Sequence, residues 1–181
     1  MKPETNYSVA FTGLKNGVHS FTYIVNDAFF TARPYSPIKA GRVNIELEFE
    51  KNDSFFALSF AFKGEINTAC DRCTSAIALP VNHTASLIVK FSEMPGESTL
   101  DETVLYLAPN EVSIDLSQYI YETLVVNVPL HKTCDDDVID NKTCDENVTK
   151  FLAHTALPAK EPDPRWNKLN ELKKEYGTSK K

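Results

Sequence analysis

Alternation of apolar and polar residues dominates the first half of the chain. In "RVNIELEFE", Val43, Ile45, Leu47 and Phe49 point one way, and Asn44, Glu46, Glu48 and Glu50 point the other. That is a period of two, the mark of a strand with one wet face. "KND" then forms a turn into "SFFALSFAFKG", where Phe56, Leu58, Phe60 and Phe62 share a face and the strand runs on towards Cys70. Shorter candidates precede this pair: "YSVAFTGL", and "GVHSFTYIVND" after a Lys-Asn-Gly turn signal. "IALPVNHTASLIVKFSE" follows it, with Leu87, Val89 and Phe91 alternating, and "TVLYLA" offers one more strand beyond an acidic loop over 92–102.

The period then changes. In "SIDLSQYIYETLVVNVP", Leu116, Ile120 and Leu124 fall on one face at helical spacing. Asp115 or Ser113 is the expected N-cap, and Pro129 ends the segment. Residues 131–147 read as an irregular acidic loop. "PDPRWNKLNELKKEY" reads as a short helix, capped by Asp163 with Pro164 at its first position. The pattern predicts an α+β fold: an antiparallel β meander or partly open barrel, covered by one helix, with a short C-terminal helix. The predicted organisation is a single α+β domain over 1–160 and a basic helix and tail over 161–181.

Composition adds constraints. The chain has 181 residues and a net charge of -6, which disfavours a general nucleic-acid binder. The charge is uneven. From Cys134 to Glu146 six acids face one base, whereas from Pro164 to the end six bases face two acids. An acidic body suits basic protein partners, and the tail from Arg165 suits an RNA contact. The opening residues lack a basic start followed by an apolar run, and no apolar stretch approaches the ~20 residues of a membrane span. The expectation is a cytoplasmic protein without membrane contact.

Chemistry centres on "NTACDRCTSA". Cys70 and Cys73 can both reach one ion from a tight turn. A tetrahedral site needs two more ligands, and Cys134 and Cys144 complete the complement of four cysteines, with His131 close by. One structural Zn2+ is one reading. A redox dithiol is a second, although no helix follows the motif as such chemistry requires. Small buried hydrophobes are a third. No GxSxG, HExxH, P-loop or Rossmann pattern occurs, and no catalytic residue is assigned.

Four stretches occur in order: "FTGLKNGVHSFTYIVNDAFF", "CDRC", "IDLSQYIYETLVVNVPLH" and "DPRWNKLNELK". Together they resemble the YceD family of large ribosomal RNA subunit accumulation proteins, in its Bacteroidetes-type form. The resemblance implies a small cytosolic bacterial protein supporting synthesis, processing or stability of 23S rRNA. It maps the family's first cysteine pair onto Cys70 and Cys73, and further ligand positions onto His131, Cys134 and Cys144. The expected function is a non-enzymatic ribosome-biogenesis factor that binds a ribosomal protein or a large-subunit assembly particle. The alternatives are a zinc-dependent RNA-processing hydrolase and a direct RNA-binding module.

Overall fold

A computed structural model describes residues 7–92, 104–136, 139 and 143–155. The chain divides into two compact units, Met1–Cys144 and Asp145–Lys181. The expected 162–176 helix, Trp166 and the 92–102 loop beyond Ser92 lie outside the described residues. Among the described residues no helix is long and apolar enough to cross a membrane.

The first unit is built on a five-stranded sheet in the order β2-β3-β4-β5-β6. Its strands are β2 (Gly17–Val25), β3 (Ala40–Lys51), β4 (Phe55–Ala69), β5 (Ala76–Phe91) and β6 (Val104–Leu107). The first four pair antiparallel as neighbours in sequence. The last pair, β5 with β6, is parallel, so the meander ends with a crossover. The sheet is open. The fold is α+β with a mostly antiparallel sheet, as the alternation predicts.

The inward register follows the sequence pattern. Ile45, Leu47 and Phe49 lie opposite Phe62, Phe60 and Leu58, and all six are at most 2% exposed. Burying side chains of this size is worth about 1.5–3 kcal/mol each. Phe11, Phe49, Phe56 and Phe91 extend this face into an aromatic cluster, with Phe56 5.0 Å from Phe11 and 5.3 Å from Phe91. One position shows why β3 and β4 need glycine. A Cβ on Gly64 would stand 2.2 Å from the Arg42 carbonyl oxygen and 2.7 Å from Val43 Cα. The backbones approach too closely there for any side chain.

The cover over this face has two layers. A two-stranded ribbon joins β1 (Ser8–Ala10) to β7 (Ser113–Asp115). It leads directly into helix α2 (Ser117–Val126), whose Ile120 and Leu124 are buried together with the preceding Leu116. The ring of Tyr119 lies 5.1 Å from that of Phe60, and its hydroxyl donates to the Ser86 carbonyl at 2.9 Å. The helix therefore packs its predicted stripe on the sheet. Its N-cap is Leu116, which makes no side-chain cap bond, so neither expected cap holds that position: Ser113 and Asp115 both belong to β7. Asp115 still takes up one first-turn donor, its Oδ1 accepting from the Ser117 N–H at 2.8 Å.

Two helices fall where no element is expected. Helix α1 (Asp27–Thr31) follows β2 and buries Phe29 and Phe30. At five residues it is too short to display a helical period. In the second unit, α3 (Glu146–Thr155) begins inside the stretch read as an irregular loop. Asp145 starts it, accepting from the Asn147 N–H at 2.7 Å. The acidic run hides this start, because a capping aspartate looks the same as a solvated one.

Candidate metal centre

The strands β4 and β5 end in a knuckle over Cys70–Ser75. The Cys70 N–H donates to the Ser75 carbonyl, and the Thr74 N–H donates to the Cys70 carbonyl, each at 2.9 Å. Thr74 takes φ 60° to close the turn. The Arg72 N–H points at the Cys70 sulfur, 3.4 Å away. Backbone donors aimed at sulfur are what a tight Cys-x-x-Cys turn produces, and they favour thiolate over thiol.

A second segment, 131–136, is held against this knuckle. The Asp71 N–H donates to the Lys132 carbonyl at 2.9 Å, and the Lys132 N–H donates back to Asp71 Oδ2 at 2.8 Å. The Lys132 ammonium pairs with Asp71 Oδ1 at 2.9 Å. Next to it, the Arg72 guanidinium pairs with the Asp135 carboxylate. The segment is braced internally as well. The Asp136 carboxylate accepts from the Thr133 N–H at 2.8 Å, and the Asp136 N–H returns to the Thr133 carbonyl.

The outcome is that all four cysteines converge. Cys73 and Cys134 have sulfurs 3.5 Å apart, and Cys70 and Cys144 have sulfurs 3.9 Å apart. The four sulfurs lie within 4.8 Å of one another, and all four residues are buried. No disulfide joins them. Zinc bound to four thiolates at ~2.3 Å in a tetrahedron sets its sulfurs about 3.8 Å apart. The donor set and its spacing therefore fit a tetrahedral metal. Burial alone would account for four small apolar residues. It does not account for the Cys70–Cys73 turn, Cys134 and Cys144 delivering all their sulfurs to one point.

Burial raises the Cys70 thiol, but the N–H groups of Cys73, Arg72 and Cys134 outweigh it and hold the group below its ordinary value. Burial, with the Cys73 and Cys70 thiols, pushes Cys134 and Cys144 up. Without a cation, few charges can crowd into this space; a divalent ion reverses that preference. The Arg72 guanidinium also lies 3.9 Å from the Cys144 sulfur, where it would offset part of the negative charge of four metal-bound thiolates.

His131 does not join the cluster. Its side chain is 79% exposed, and its Nδ1 sits 3.8 Å from Asp71 Oδ2. The residues missed by spacing are Asp71, Arg72, Lys132 and Asp135. Their signal in the sequence is faint: opposite charges placed directly beside cysteines on both segments.

An open α+β sheet carrying a buried four-thiol centre defines the class of protein. The family model described as large ribosomal RNA subunit accumulation protein YceD matches residues 58–173, and the chain belongs to that family. The match takes in both cysteine-bearing segments. Its description supports a role in ribosome biogenesis. No curated protein and no solved structure matches the chain.

Proposed function

We propose that the chain is a non-enzymatic, cytoplasmic ribosome-biogenesis factor that binds a ribosomal protein or a large-subunit assembly particle, and that Cys70, Cys73, Cys134 and Cys144 hold one structural Zn2+. The family match over 58–173 carries the biogenesis reading. The net charge of -6 supports a basic protein as first partner. The basic 161–181 tail, appended to the domain, supplies an rRNA contact from Arg165 onward. The zinc ties the 131–144 segment to the β4–β5 knuckle, and four thiolates complete its tetrahedral coordination.

The hydrolase reading fares worse on the donor set. Catalytic zinc keeps an open position for water or substrate. Four sulfurs fill a tetrahedron, and His131, the nearest imidazole by sequence, is turned to Asp71 and solvent. Chelation separates the two: a structural site predicts a less stable protein, a catalytic one a folded but inactive protein. The partner is tested by capturing a tagged full chain from lysate with and without RNase. Enrichment of a large-subunit protein that survives RNase supports the reading. Absence of any ribosomal protein or assembly particle contradicts it.

A further inference from the structure

The segment between α1 and β3 carries an exposed aromatic ring in an unusual setting. The Ser36 N–H donates to the Arg33 carbonyl at 3.4 Å, closing a turn over Arg33–Ser36. Pro34 occupies its second position, and Tyr35 occupies its third with φ 70°. That is the pattern of a type II turn, whose third position favours glycine. A bulky residue in the left-handed region costs on the order of 1 kcal/mol or more. Tyr35 gains nothing from packing in return, because it is 100% exposed.

The turn around it is fixed. Ser36 and Ile38 are buried at 4% and 1% exposure. The Ile38 N–H donates to Ser36 Oγ at 3.2 Å, the Thr68 hydroxyl donates to the Pro37 carbonyl at 3.3 Å, and the Lys39 N–H donates to the Asn67 carbonyl at 2.9 Å. At its base, Arg33 lies over the rings of Phe29 and Tyr121 at 4.1 and 4.6 Å. A ring on such a mount loses little entropy when it is covered.

Charge indicates what covers it. The Lys39 ammonium donates to the Ser36 carbonyl at 3.1 Å, next to the tyrosine. Arg33 and Lys39 flank the tyrosine in sequence, while the acids nearest in the fold, Asp27 and Glu65, are placed at Gly41 and opposite Arg42. A stiffly held aromatic face beside two cations matches a nucleobase with its phosphate better than a basic protein. Aromatic stacking tolerates any base, and lysine supplies the backbone contact.

We propose that Tyr35, presented by the Arg33–Ser36 turn, stacks on an unpaired base of single-stranded RNA while Lys39 contacts its phosphate. This contact goes beyond the protein-partner reading, which survives its failure. The test is fluorescence anisotropy of a short labelled single-stranded RNA of mixed sequence with the full chain. Tyr35→Ala and Tyr35→Gly weaken binding about tenfold or more, and Tyr35→Phe retains it. Tyr35→Gly also raises the thermal midpoint, since it relieves the turn. Lys39→Ala lowers the salt slope by about 0.7, the value of one phosphate contact on a single strand. Equal affinity of Tyr35→Ala and the unmodified chain overturns the proposal, as does an unmodified chain that does not bind the RNA. Loss of a ribosomal protein from an RNase-treated capture on Tyr35→Ala, with RNA affinity unchanged, assigns the turn to a protein and overturns it too.

Discussion

Replacing a single sulfur separates the three readings of the cysteines. With zinc bound, Cys134→Ser and Cys70→Ser each lose the metal by elemental analysis and lower the thermal midpoint, whereas His131→Ala keeps one zinc per chain. Chelation of the unmodified chain removes the ligation energy, about 4 kcal/mol when free zinc stands roughly a thousandfold above its dissociation constant. If the cysteines were only core residues, chelation would leave stability unchanged. His83 gives a separate prediction. It stacks on Phe62 at 4.6 Å with Nε2 buried and unpartnered, and burial lowers its pKa. The unfolded chain therefore binds this proton more readily than the folded one, so stability is full above the ordinary histidine value near ~6.5 and falls as pH drops below it. Denaturant titrations at stepped pH should show a slope that His83→Phe flattens. At this scale the four cysteines stood out as candidate ligands because cysteine is scarce and its number matched a tetrahedron. Their convergence did not, since it depends on ion pairs such as Asp71–Lys132 that link residues 61 apart.

Strands announced themselves where one face is buried and the other wet. That is why the alternating residues of β3 and β4 and the stripe of α2 appear in the structure as read. The parallel pairing of β5 with β6 had no such signal, because side chains alternate identically in either direction. β7 and α1, of three and five residues, are too short to complete a period, whereas β1, equally short, falls within the strand read in "YSVAFTGL", and pairing fixes β1 and β7 together. Two substitutions probe this level. Gly64→Ala drives a methyl into the Arg42 carbonyl and should lower stability by about 2 kcal/mol or more. Leu124→Ala strips the buried contact of α2 and should cost about 2–5 kcal/mol. Both are read from urea midpoints. A neutral result at Gly64 would mean that β3 and β4 can separate there.

The chain combines an acidic net charge with a basic stretch from Pro164 to the end, and that distribution was visible in the sequence. Which face meets a partner was not, because it depends on where a turn such as Arg33–Ser36 is displayed. On the proposed function zinc is a brace and the partner contacts lie elsewhere, so losing the metal should reduce function only through stability. Support of large-subunit RNA is central to the proposed function. The most direct measurement is the ratio of large- to small-subunit rRNA in cells deleted for its gene, with and without the restored full chain. The account predicts a lowered ratio that the restored chain corrects. An unchanged ratio on deletion would contradict it.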